Sequence, residues 1–289
     1  MLNKLVSYSK KAAVFAAFFS ITLAHQTASS VEKTETYKDL IEKAYNLSLQ
    51  QDRTQALSIL VGASKREAKR GLPQKELLTA IEEVANIFYS DKTQQLHELA
   101  LSLKQADPAA ALTKLNEAGR LEPDNLTILL ETQRLLLATN DCSGALKLGE
   151  KILELDPYSE GARLHSAQAT VCIGKFDQYL SFANSPNTET QSIYWLITDV
   201  ERLFKKAEFD SALVKITQTE KLKSTYPESF YWQWRIETEL KQKNDKSGQK
   251  YVSACRKLTP RQFREFSSDP NLCRRVAEVE NSLKKSHNP

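Results

Sequence analysis

ALTKLNEAGRLEPDN, residues Ala111 to Asn125, and ALKLGEKILELDPYS, residues Ala145 to Ser159, decide the fold of this chain. Ala-Leu opens both stretches and Leu-acid-Pro closes both. The offset is thirty-four residues at each end, from Ala111 to Ala145 and from Pro123 to Pro157. A fixed period of this length indicates stacked copies of one supersecondary unit rather than a single globular core.

Working outward, the period organises most of the chain. One unit spans about 92–125, with Leu96, Leu99, Ala100 and Leu103 in its first helix; the next spans about 126–159, with Leu129, Gln133 and Leu136 at first-helix positions. A third runs from Glu160 to about Gln191, carries the turn Ile173-Gly174-Lys175-Phe176-Asp177-Gln178-Tyr179-Leu180, and has its second helix cut short near Pro186. The fourth, about 193–227, repeats that turn as Ala207-Glu208-Phe209-Asp210-Ser211-Ala212-Leu213. A fifth, about 229–261, holds Trp232, Ile236 and Leu240 at helical spacing and closes on Leu258-Thr259-Pro260. Upstream, Tyr37 to Arg70 reads as a helical pair, stopped by Gly71-Leu72-Pro73. A further helix from about Gln74 to Tyr89 breaks the period, because Ala56 precedes Ala111 by fifty-five residues. Downstream, Leu272, Val276, Val279 and Leu283 mark a terminal helix over Asn271 to Lys285, the polar-faced cap a solenoid needs over its last repeat.

This pattern of small residue, helical stripe and closing proline resembles the tetratricopeptide repeat (TPR) family over roughly Tyr37 to Arg261, although the family's Trp and Gly in the first helix are mostly absent. The resemblance implies an all-α fold: a right-handed α-solenoid of about five helix-turn-helix repeats (92–261), an irregular N-terminal helical region with one degenerate repeat and an extra helix (37–91), and a C-terminal capping helix and tail (262–289); with the leader described next, an exported bacterial member is expected. In that family the first helix of each repeat lines a concave groove. Carried over by register, the partner-binding surface comprises Leu130, Arg134, Leu164, Gln168, Ile197 and Glu201. Apolar anchors with dispersed charge suit a peptide or a partner helix.

The first thirty residues place lysines before an apolar run from Ala12 to Ala24 with small residues after it, the layout of a secretory signal peptide (1–28) cleaved after Ala24 or Ala28. Thirteen residues fall short of the roughly twenty a membrane span needs, so no span is expected after cleavage. The expected location is periplasmic or secreted. Of the formal charge of +4, three positives (Lys4, Lys10, Lys11) belong to this leader, and about +1 remains. So balanced a chain lacks the basic footprint of a nucleic-acid binder.

Four cysteines in an exported chain invite pairing, and four allow three connectivities. Repeat register puts Cys142 in one turn and Cys172 at the end of the next first helix, on the same edge of the stack. Cys255 and Cys273 would join the last repeat to the cap. The expected disulfides are Cys142–Cys172 and Cys255–Cys273, each stabilising by about 3 kcal/mol on the loop-entropy model; buried free thiols are the alternative. His97 and His165 sit alone on helices, His97-Glu98 reads as a solvated face, and neither His-x-x-x-His nor Cys-x-x-Cys spacing occurs, so no metal site and no cofactor is expected. The run Phe230-Tyr231-Trp232-Gln233-Trp234 packs against flanking helices or serves as an exposed aromatic hot spot. The leading functional reading is a non-catalytic protein-interaction scaffold, and the second is a structural subunit of a cell-envelope assembly. Size exclusion with light scattering separates them.

Overall fold

The computed structural model describes residues 35–72, 74–184, 192–242 and 245–287. The leader, Pro73 and Pro186 lie outside the described residues. Fifteen helices and no strand occur among the described residues. Five hairpins form the repeated body: α4 (Asp91–Leu103) with α5 (Pro108–Leu121), α6 (Leu126–Ala138) with α7 (Cys142–Leu155), α8 (Glu160–Cys172) with α9 (Phe176–Ala183), α10 (Ile193–Lys205) with α11 (Phe209–Leu222), and α12 (Pro227–Glu239) with α13 (Asp245–Arg256). The first helices stack in series, α6 on α8, α8 on α10 and α10 on α12. Before them, α1 (Tyr37–Leu49), α2 (Arg53–Lys69) and α3 (Lys75–Asn86) form a three-helix unit. After them come a short α14 (Pro260–Glu265) and a terminal α15 (Val276–His287).

Each hairpin turn has a local cause. In four of the five hairpins the first helix ends with one left-handed residue, Asn140, Gly174, Ala207 or Lys241, and Gln51 does the same between α1 and α2. The next backbone N–H then reaches back to a carbonyl five residues earlier, as from Asp141 to Leu136 and from Glu208 to Leu203. This is the Schellman closure, which satisfies carbonyls the helix end would otherwise leave unpaired. Only one of the five uses glycine there. Side-chain caps then start the helices: Thr36 closes a capping box with Asp39, and Ser90, Asp107, Asn125, Asp141, Ser159 and Ser192 each accept a backbone N–H of the first turn.

Small residues bring the paired helices together. Ala111, Ala145 and Ala212 are fully buried at their equivalent positions. Tyr179 stands there in the third hairpin and is accommodated, its ring edge-on to Trp195 with centroids 6.4 Å apart. Gly149 marks the tightest crossing: a Cβ there would collide with Ser166 Oγ and Gln133 Nε2 and displace the buried hydrogen bond between them.

Leu57, Leu60, Leu77 and Ile81 of the three-helix unit share a core with Leu126, Leu129 and Ile152, so this unit seats on α6 and α7. A buried arginine fixes the joint. Arg53, with no exposed surface, pairs with Glu122 at 3.0 Å and Asp124 at 2.6 Å, and its guanidinium lies 4.2 Å from the Tyr89 ring centroid. Glu122, the acid of the Leu-Glu-Pro closure, also accepts the Tyr89 and Ser90 N–H groups and Asn125 Nδ2. Both guanidinium NH2 groups of Arg53 are paired or hydrogen-bonded, while its Nε has no partner, so removing either acid would leave a buried, uncompensated charge.

The candidate partner-binding groove

Four-residue spacing places Leu130 and Arg134 on one face of α6, Leu164 and Gln168 on one face of α8, and Ile197 and Glu201 on one face of α10. That face is partly filled by the chain's own C-terminal segment. Residues 260–275 cross the first helices before the chain enters α15, which begins at Val276 rather than Asn271 and packs on α13 of the last repeat. Phe266, fully buried, joins Ile197, Tyr226, Tyr231 and Trp232 in one apolar cluster.

Side chains from successive repeats hold this strap largely by its main chain. Arg134 on α6 donates to the Ser267 carbonyl and to Glu131. His165 Nε2 on α8 lies 3.4 Å from the Ser268 carbonyl, and Tyr194 Oη on α10 donates to the Glu265 carbonyl at 2.7 Å. From α12, the Glu228 carboxylate accepts the Cys273 N–H at 2.9 Å and pairs with Arg275 at 3.1 Å. Tyr226 Oη donates to Asp269 at 2.5 Å, and Arg274 returns a bond to the Ala138 carbonyl at 3.3 Å. Contacts to carbonyls read backbone position and place little demand on the side chains of the bound segment.

Burial sets the protonation states here. It pushes His165 down to about 4, helped by the nearby Arg134 charge, so its imidazole is neutral. It raises the Glu228 carboxyl to about 8, with the Asp269 charge adding to the effect and Arg275 opposing it. Asp269 is raised by the same burial, and Tyr226 well above its usual range.

The six groove residues fare differently. Leu130, Arg134 and Leu164 line a remaining cavity of about 400 Å³, together with Trp195, Tyr194 and Ser268 of the strap. Leu164 is only 6% exposed, and Ile197, at 8%, is packed beneath the strap. Gln168 is half-buried with its Oε1 unpartnered, and Glu201 pairs with Lys205 at 3.1 Å. Leu164 and Ile197 are therefore core residues as much as groove residues. His165, Tyr194 and the strap itself escaped the sequence reading. The four-residue register selected one stripe per helix, and the strap has no period to detect.

The remaining candidates are also placed. Cys142 is bonded to Cys172 with Cα atoms 6.1 Å apart, and Cys255 to Cys273 at 5.6 Å. Cys273 lies in the left-handed turn before α15, so its disulfide anchors the strap and not a helix. His97 is buried against Phe88, with ring centroids 5.4 Å apart, and not on a solvated face. Tyr231, Trp232 and Trp234 are buried, which places the aromatic run in the core. Among the described residues no cluster of His, Cys, Asp and Glu could hold a metal ion, and no helix is long and apolar enough to cross a membrane.

No family model and no curated protein matches this chain. Similar solved structures include a thermophilic TPR protein of Thermus thermophilus, 17% identical, TM-score 0.48, covering 65% of this chain and 99% of that one. A MamA RS-1 double mutant is 13% identical at TM-score 0.41, covering 68% of this chain and 98% of that one. Likenesses at this level carry no argument about partner or activity. On its own repeated geometry the chain is an all-α solenoid of stacked helical hairpins whose first-helix face holds its own C-terminal strap.

Proposed function

We propose that the protein is a non-catalytic, exported interaction scaffold that binds a peptide or partner helix along its concave groove. The observation that carries this reading is the strap: Arg134, His165 and Tyr194, one from each of three consecutive first helices, already engage the carbonyls of an irregular segment. A surface built to hold backbone in this way is a peptide-binding surface. Two disulfides, with no free cysteine among the described residues, support an oxidising compartment. The groove contacts are polar-to-backbone and apolar, the means of recognition rather than of bond making.

Capture from extract tests the reading. Leu130 is the suitable position because it is partly exposed in the cavity wall, whereas Leu164 is core. Wild-type protein is expected to recover a partner that Leu130→Glu recovers at least tenfold less well. Recovery of no partner, or equal recovery by both proteins, counts against it.

A further inference from the structure

The far side of α6 carries another cleft, away from the strap and the groove. α5 and α7 each pack on α6 and leave between them an opening of about 540 Å³, a size that takes a ligand group. Thr132 and Leu136 line it from α6, turned away from the Leu130 and Arg134 stripe by helical geometry. Leu136 and Leu148 are only half-buried in its floor. Gly119 of α5 lines the cleft too; a Cβ there would meet only Ile128 Cγ2, at an ordinary 3.8 Å, so the missing side chain leaves the floor open.

Every charged residue of the lining is a cation: Arg120 on α5, Lys147 and Lys151 on α7. All three are exposed, and among the described residues none has an ion pair; Lys151 donates to the neutral Pro123 carbonyl at 3.1 Å. The surrounding acids are engaged elsewhere. Glu117 pairs with Lys114 at 2.9 Å, Glu122 and Asp124 hold Arg53, Asp141 caps α7, and Glu150 accepts from Gln178. Glu154 lies a turn beyond Lys151, outside the lining. Lys147 and Lys151 are four apart on one helix, a spacing at which like charges oppose the helix and an incoming carboxylate relieves them. With the leader set aside the chain carries only about +1, so this is a local concentration of charge and not general basicity.

We propose that this cleft docks an acidic amphipathic helix of a partner protein, its apolar face on Leu136 and Leu148 and its Glu or Asp side chains between Arg120 and the Lys147–Lys151 pair. A helix laid into a groove meets both the recessed apolar floor and the charged banks, and charge complementarity of this kind selects and orients the partner. A flat bilayer surface does not reach a floor recessed between two helices. The lining holds no aromatic ring on which a nucleic-acid base could stack. The site is separate from the concave groove, so either reading can fail without the other.

Fluorescence anisotropy on the full chain with both disulfides formed tests it, using three labelled peptides of equal length. One carries Leu and Glu at amphipathic helical spacing, the second Leu and Lys, and the third Ser and Glu. The Leu/Glu peptide is expected to bind about tenfold more tightly than either other, more weakly as salt rises, and to lose about tenfold in Lys147→Glu and in Gly119→Trp, which fills the cleft. Should Gly119→Trp fail to fold by circular dichroism, Lys147→Glu and Arg120→Glu, both at exposed positions, decide. Equal binding of the Leu/Lys peptide would overturn the charge assignment, and equal binding of the Ser/Glu peptide the apolar floor. Leu/Glu binding indifferent to the substitutions would place that peptide elsewhere and overturn the cleft. Binding of no peptide would overturn it too, and uptake by phosphatidylglycerol vesicles in that case would assign the cations to a lipid surface.

Discussion

Glu228 lies where water does not reach, on the first turn of α12, with Asp269 of the strap as a like-charged neighbour and Arg275 as its ion-pair partner. Burial outweighs the ion pair and raises its carboxyl to about 8. A folded pKa above the unfolded value of about 4.3 means that the folded state holds a proton the unfolded state has released. This contribution to stability is fully present below about pH 4 and declines as pH rises through 8. Glu228→Gln keeps an oxygen for the Cys273 N–H and removes the titration. Urea midpoints measured from pH 5 to 9 should fall less steeply with pH in Glu228→Gln than in wild type; identical slopes would place the titrating group elsewhere. Residue chemistry also shows what the sequence concealed. Glu122 reads as part of a closing Leu-Glu-Pro, yet its carboxylate gathers Arg53, Asn125 and two backbone N–H groups. Nothing in a linear pattern tells which acid of a motif receives a buried arginine seventy residues away.

At the scale of elements, the helices follow from periodicity and the turns do not. Ala145, Ala212 and the closing prolines are visible because they recur. The left-handed turn residues are not, because Gln51, Asn140, Ala207 and Lys241 do the work usually signalled by glycine. The strap was legible only as part of a cap: Leu272, Val276 and Val279 suit one helix, but Asp269, Pro270 and the Cys255–Cys273 bond hold Leu272 in a turn before α15. That bond closes an eighteen-residue loop, which on the chain-entropy model stabilises by about 3 kcal/mol. The double variant Cys255→Ser with Cys273→Ser should lower stability in urea by about that amount while leaving the helical circular dichroism nearly unchanged. An unchanged midpoint would mean that the polar contacts of Glu228, Tyr226 and Arg134 hold the strap without covalent help.

For the whole molecule, the thirty-four-residue period made the stacked body readable, whereas two long-range arrangements left no trace in it. The α1–α3 unit docks on α6 and α7 through side chains more than forty residues apart. The strap meets α6 across more than one hundred and thirty. Both arise from tertiary packing of segments with ordinary local signals, so register alone assigned the groove face and not its occupant. The central claim is that residues 262–275 occupy the face of the stacked first helices in the folded, oxidised protein. Native-state hydrogen exchange by mass spectrometry tests it most directly. The Phe266, Asp269, Asn271 and Cys273 N–H groups all have acceptors in the fold, to Gln262, Phe266, Asp269 and Glu228. Peptides covering 262–275 are predicted to exchange at least a hundredfold more slowly than an unstructured chain, as the repeat helices do. Exchange across that segment at unstructured rates, with the repeat helices still protected, would contradict it.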